Sequence, residues 1–198
     1  LKGKTIYATG QGTTPEYTLR HILTGNDIDP DKDVNIQYYK EGSEVVANAS
    51  LDYNAILMLP QPYATIAMNQ MENCRNIIDL NKEWSKISED SNIVTGVIVV
   101  RKEFLENNKE DFDKFLEEYR LSTEFANNNT SECAELLEKY DIFKAAIALK
   151  AIPYCNVTLI TGTAMKEQLI PYLQVLSDAN PASVGGSIPD DTGFYINK

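Results

Sequence analysis

Leu1-Lys-Gly-Lys-Thr-Ile-Tyr-Ala-Thr-Gly10-Gln-Gly-Thr-Thr-Pro-Glu-Tyr-Thr-Leu-Arg20 reads as a buried strand, a glycine-rich turn and the first turns of a helix. Lys4 to Ala8 alternates as a short strand, and Gly10 and Gly12 supply the permissive backbone of a tight turn. Thr13 or Thr14 is placed to cap a helix that Pro15 starts, and Glu16, three residues after Thr13, completes a capping box. Leu19, Ile22 and Leu23 form its apolar face, and Gly25 stops it as a C-terminal glycine. Unpaired N–H groups at such a helix start, together with the helix dipole and two threonine hydroxyls, suit an anion or a strong acceptor. The same residues also describe a well-capped strand–helix connection that binds nothing.

Outward from this stretch, strands and helices alternate as far as Arg101, the pattern of a mainly parallel sheet covered by helices. Val34–Tyr39 is expected as the second strand, and Ser43–Leu51 as a short helix capped by Ser43. Asn54–Leu59 follows as a third strand, then a helix carrying Tyr63, Ile66, Ala67 and Met71 at helical spacing. Arg75–Leu80 reads as a fourth strand, Asn81–Ile87 as a short helix around Trp84, and Ile93–Val100 as a long β-branched strand. Beyond Arg101 the pattern is helical: Lys109–Asn127, a helix capped by Thr130 and Ser131, Phe143–Ile152 ended by Pro153, and Gly162–Asp178 kinked near Pro171. These helices have no evident strand partner. They are therefore expected to cover a sheet not contained in this sequence, or to bury their stripes in an oligomer or a rearranged packing.

Composition narrows the function. The 198 residues are 43% hydrophobic, enough for a packed core, and no run approaches the ~20 apolar residues that cross a bilayer. Eighteen basic against 29 acidic side chains give a net charge of −11, which argues against nucleic acid as a partner. Cys74, Cys133 and Cys155 are widely spaced and His21 has no partner at ligand spacing, so neither a metal site nor a cofactor is expected. There is no Ser–His–Asp order, HExxH or P-loop lysine, and Gly10-Gln-Gly12 lacks the third glycine of a dinucleotide site. Asp190 and Asp191 read as solvated tail or cap. The start at Leu1, without an initiator methionine, reads as a processed product or a piece of something longer.

The loop Leu59-Pro-Gln-Pro-Tyr-Ala-Thr65 repeats the logic of the opening stretch, a strand end followed by a helix start. Ligands of open α/β sheets sit outside the carboxyl ends of strands, where Gln61 offers an amide, Pro62 a rigid wall and Tyr63 a ring and hydroxyl. Any abrupt strand-to-helix turn also uses prolines this way. The candidate binding residues are therefore Gly10, Gln11, Gly12, Thr13, Thr14, Gln61, Pro62 and Tyr63, with no catalytic residue assigned.

Leu1 to Pro15, Asn54-Ala-Ile-Leu-Met-Leu-Pro-Gln-Pro-Tyr63, Val99-Val-Arg-Lys-Glu-Phe-Leu105 and Ser183-Val-Gly-Gly-Ser-Ile-Pro-Asp-Asp191 together resemble substrate-binding proteins of bacterial ABC importers, of the nitrate, sulfonate and thiamine-precursor type. Gln61 stands where that family has a glutamate. The resemblance implies a type II periplasmic-binding-protein fold of two α/β lobes, with residues 1–99 as the second lobe and 100–198 as the helical C-terminal part of the first. It implies a protein that is not an enzyme, traps a small polar or anionic organic solute between its lobes and hands it to an ABC permease. It further implies an extracytoplasmic location, through a lipidated N-terminus missing from this chain. Relatives on the same fold include pyrimidine-synthesising and menaquinone-pathway enzymes. An enzyme of that kind is the alternative, with Glu16, Tyr63 and His21 as its titratable groups, and an inactive fragment is the third reading.

Overall fold

The structure is a computed structural model and describes residues 1–88, 91–190 and 194–196. Asp191, one of the expected tail carboxylates, lies outside the described residues. The first half runs β1 (Thr5–Thr9), α1 (Thr14–Gly25), β2 (Asn35–Tyr39), α2 (Gly42–Ala49), β3 (Ile56–Met58), α3 (Tyr63–Gln70) and α4 (Leu80–Ile87). The remainder is helical: α5 (Lys102–Asn107), α6 (Lys109–Asn128), α7 (Thr130–Lys139), α8 (Ala145–Ala151) and α9 (Gly162–Ala179), with 3₁₀ turns at Ile152–Tyr154 and Pro181–Val184. No helix among the described residues is long and apolar enough to cross a membrane.

The sheet is parallel, in the order β2-β1-β3, with Thr5 to Thr9 in register with Asn35 to Tyr39 and Ile6 to Ala8 with Ile56 to Met58. Strand alternation sorts its two faces. Ile6, Ala8, Ile36, Tyr38, Ile56 and Met58 meet Leu19 and Leu23 of α1, while Tyr7, Tyr39 and Leu57 meet Val45 and Ala49 of α2. The opposite flank of α1 is buried as well: Tyr17 and Ile22 pack with Trp84 of α4 and with Tyr172 and Leu176 of α9. Trp84 is fully buried, lies 5.3 Å from the Tyr172 ring, and donates its indole N–H to Ser91 Oγ at 3.1 Å. Thr18 and Tyr172 share a buried hydroxyl–hydroxyl bond of 3.2 Å.

By internal packing the chain divides into one unit of residues 1–94 and 161–198 and another of residues 95–160. The sequence reading drew a single boundary at residue 99; in the structure α9 belongs with α1 and α4 because Tyr172 and Leu176 complete the core around Trp84. The second unit has a small core of Ala134, Ala148 and Ile152 where α7 meets α8.

Two expected strands are absent from the described residues. Arg75–Asp79 forms no ladder and is exposed, and the Asp79 carboxylate caps α4 by accepting the Asn81 N–H at 3.0 Å. Ile93–Val100 forms no ladder, and Val97, Ile98 and Val99 are exposed: β-branched residues favour a strand, but a strand needs a hydrogen-bonding neighbour. The expected mixed, mainly parallel sheet is thus a small, wholly parallel one. Caps differ too. Glu41, not Ser43, caps α2 in a reciprocal box with Glu44. Helix α1 ends in a Schellman motif whose left-handed residue is Asp27 (φ 55°), with Asp27 N–H bonded to Thr24 O and Ile28 N–H to Leu23 O. Gly25 matters for a different reason: a Cβ there would lie 2.7 Å from Ile87 of α4.

Trp84 links α1, α4 and α9, so Trp84→Ala is expected to lower stability by about 3–5 kcal/mol in urea unfolding, while Leu51→Ala, at a position 87% exposed, changes it by less than ~0.5 kcal/mol.

Candidate functional site

The order β2-β1-β3 makes the carboxyl ends of β1 and β3 the place where the winding of the sheet reverses, the position where open α/β sheets hold ligands. The two loops singled out in the sequence leave the sheet there. Gly10–Thr13 follows β1 and Leu59–Pro62 follows β3, on adjacent paired strands about 4.8 Å apart.

The first loop is held by the helix that it starts. Gly10 (φ 81°) and Gly12 (φ 73°) are in the left-handed region, and a Cβ on Gly10 would lie 2.8 Å from both Pro15 Cγ and Thr13 Oγ1. Thr13 does not cap α1 with its side chain. Its backbone N–H and its hydroxyl both donate to Gly10 O, at 3.1 and 2.6 Å. Glu16 does not close the expected capping box; its carboxylate accepts the Gly12 N–H at 2.6 Å. Tyr17, buried, donates its hydroxyl to Gly12 O at 3.0 Å. The loop therefore already carries an internal carboxylate on one of its N–H groups, next to the α1 N-terminus whose dipole favours negative charge. Arg20 lies 3.9 Å from Glu16 and pairs with Asp31 at 2.6 Å. On β2, burial and, second, the charge of Glu16 push the Tyr38 phenol up to about 12. Tyr38 stays protonated at neutral pH.

In the second loop the Gln61–Pro62 peptide is cis. Gln61 turns its amide oxygen to α3, accepting from Thr65 Oγ1 at 2.8 Å and Thr65 N at 3.3 Å, so that oxygen is engaged in starting the helix. Pro62 occupies the N-cap position of α3. The Tyr63 ring lies against Gly42, where an added Cβ would stand 2.5 Å from a ring carbon, so the start of α2 needs glycine there. The structure thus gathers Gly10, Gln11, Gly12, Thr13 and Thr14 in one loop and Gln61 and Pro62 in its neighbour, while Tyr63 packs its ring on α2.

A concavity of about 340 Å³ runs along α1 and α9, walled by Glu16, Arg20, His21, Thr24, Val175 and Asp178. His21 Nε2 is 2.9 Å from Ser88 Oγ, and its ring lies 4.6 Å from that of Trp84. Among the described residues no group of three His, Cys, Asp or Glu side chains is placed to hold a metal ion. Sequence reasoning missed Tyr17, Tyr38 and Asn180. Alternation along β2 puts Tyr38 on the α1 face and offers a signal for it; the contact of Tyr17 with Asn180, 163 positions away, leaves none.

Comparison with known proteins gives two findings. The family model for menaquinone biosynthesis matches residues 3–160, which include both loops. A solved structure described as an ABC transporter from Parabacteroides distasonis aligns with 100% of this chain and 68% of its own length, at a TM-score of 0.82 and 23% identity. No curated protein matches significantly. At that identity the second finding speaks to fold alone, and it explains the resemblance to importer components. The family match overturns the expected function: the reading as a solute-binding protein of an importer, with its permease and without enzymatic activity, gives way to the enzyme alternative.

Burial lowers the His21 pKa, so the folded state favours the neutral ring. The unfolded chain then takes up this proton first, near pH 6.5, and stability falls as the pH drops below that value until the folded pKa is passed. His21→Gln is expected to flatten the loss of stability between pH 7 and pH 5 in urea unfolding; an unchanged slope would show that His21 contributes none of it.

Proposed function

Because the chain belongs to the menaquinone biosynthesis family, we propose that it is part of an enzyme of that biosynthesis and binds a small organic precursor at the carboxyl ends of β1 and β3. The observation that carries this reading is the family match across residues 3–160, which takes in both strand-end loops. Gln11 and Thr14 would supply backbone N–H groups and Thr14 its hydroxyl, the Gly12 and Thr13 donors being used within the loop, and Gln61, Pro62 and Tyr63 would form the opposite wall. The arrangement would be that of a type II periplasmic-binding-protein fold, a reading supported by the TM-score of 0.82 to a structure of which this chain covers 68%.

Three titratable groups were candidates for acid–base work, and their surroundings differ. His21 lies against Trp84 and bonds to Ser88, and the Tyr63 ring is packed on Gly42. Glu16 has its carboxylate on the loop itself, bonded to Gly12 N–H, and is the residue this reading assigns to proton transfer. Its neighbour Tyr38 stays protonated and so does not serve as a base.

The test uses the full-length gene in a bacterium that depends on menaquinone and lacks its own enzyme of this family. The wild-type gene is expected to restore menaquinone. Glu16→Gln, which keeps an oxygen for the Gly12 N–H, is expected to lower turnover by about 10²–10⁴-fold with little change in melting temperature. Failure of the wild-type gene to restore menaquinone would overturn the functional reading, and a fully active Glu16→Gln would overturn the role of Glu16.

A further inference from the structure

Gly12 is bonded through both of its backbone polar groups to side chains of α1: N–H to Glu16 and C=O to the Tyr17 hydroxyl. The Tyr17 oxygen has a second partner, since Asn180 Nδ2 donates to it at 2.9 Å. The orientation of that amide is fixed independently, because Asn180 Oδ1 accepts the Ala182 N–H at 3.1 Å and so must be the oxygen. The proton inventory closes: the phenol has one hydrogen, given to Gly12 O, and its lone pairs receive the amide. Asn180 is the C-cap of α9 and opens the 3₁₀ turn Pro181–Val184. That turn is stiffened by the single Ser183 hydroxyl hydrogen, shared between Asn180 O and Leu176 O, and by Gly186 N–H bonding to Pro181 O. A rigid element near the C-terminus is thus wired to the glycine loop through a single buried phenol.

We infer that Asn180 and Tyr17 are positioning residues for the ligand loop: Asn180 orients the Tyr17 hydroxyl, and the hydroxyl holds Gly12 with its carbonyl turned inward and its φ positive. This rests on the reading that Gly10 to Thr14 receives the ligand. Gly12 is exposed and unrestrained by a Cβ, so without these bonds its peptide is free to rotate. Glu16 alone restrains only the N–H side. With the carbonyl held as well, the loop keeps one conformation before the ligand arrives, which spares the ordering cost at binding.

The decisive variant is Asn180→Asp. The introduced carboxylate still accepts the Ala182 N–H, so the capping role survives, but it offers Tyr17 an acceptor in place of a donor and draws the phenol proton away from Gly12 O. Hydrogen exchange of the full-length protein is measured for amides 10–14, with α9 as internal control. Tyr17→Phe and Asn180→Asp are each expected to speed exchange in the loop by about tenfold, and the double variant to go no further, with melting temperatures within a few degrees of wild type. Unchanged loop exchange in Asn180→Asp, or additive effects in the double variant, would overturn the inference. Menaquinone restored by the wild-type gene but equally well by both variants, despite a loosened loop, would overturn the positioning role. Failure of the wild-type gene itself would instead count against the functional reading, leaving the exchange data to decide the loop link.

Discussion

Helix α1 is buried along two flanks, and this constraint governs the larger unit. Leu19 and Leu23 close one face of the sheet, while Tyr17 and Ile22 enter the core around Trp84 and Tyr172. A helix confined on two sides cannot shift without breaking one core or the other, because packed interiors tolerate little change of volume. Its N-terminus is therefore fixed relative to the ends of β1 and β3. The glycine loop inherits that rigidity through the half-buried Glu16 and through Tyr17, which begins the buried stretch. Stability and site geometry thus share one element.

The alternation from β1 to α3 was legible because each element announces itself locally: period-two apolar residues for the strands, turn glycines and prolines between them, helical spacing after them. The location of both candidate loops followed from the same signals and matches the reversal in strand order. What remained illegible was non-local. Ile93–Val100 has the composition of a strand, yet composition does not say whether a neighbour exists to bond it. The caps of α1 and α2 depended on competition among polar groups in contact: Thr13 finds Gly10 O nearer than its own helix, and Glu41 displaces Ser43. The Tyr17–Asn180 bond joins residues 163 positions apart, beyond any periodicity.

The function was misread for an instructive reason. A likeness of fold at 23% identity carries no information about chemistry, since the same scaffold hosts binding and catalysis, and the importer resemblance rested on motifs that build the scaffold. Gly10, Gly12, Pro60 and Pro62 are needed for backbone geometry whatever is bound. The distinction lies in what the loops carry. A helix start already supplied with its own carboxylate, Glu16, is a poor trap for a bare anion and a reasonable place for proton transfer.

The location of the site at the carboxyl ends of β1 and β3 underlies both the proposed chemistry and the role of the glycine loop. It is tested most directly by a crystal structure of the full-length protein with a menaquinone precursor that it turns over. Ligand density is expected in contact with Gly10 to Thr14 and with the Gln61–Tyr63 loop, with Glu16 within hydrogen-bonding reach of the reacting group. Density confined to the groove between α1 and α9, walled by Arg20, His21 and Asp178, would contradict it.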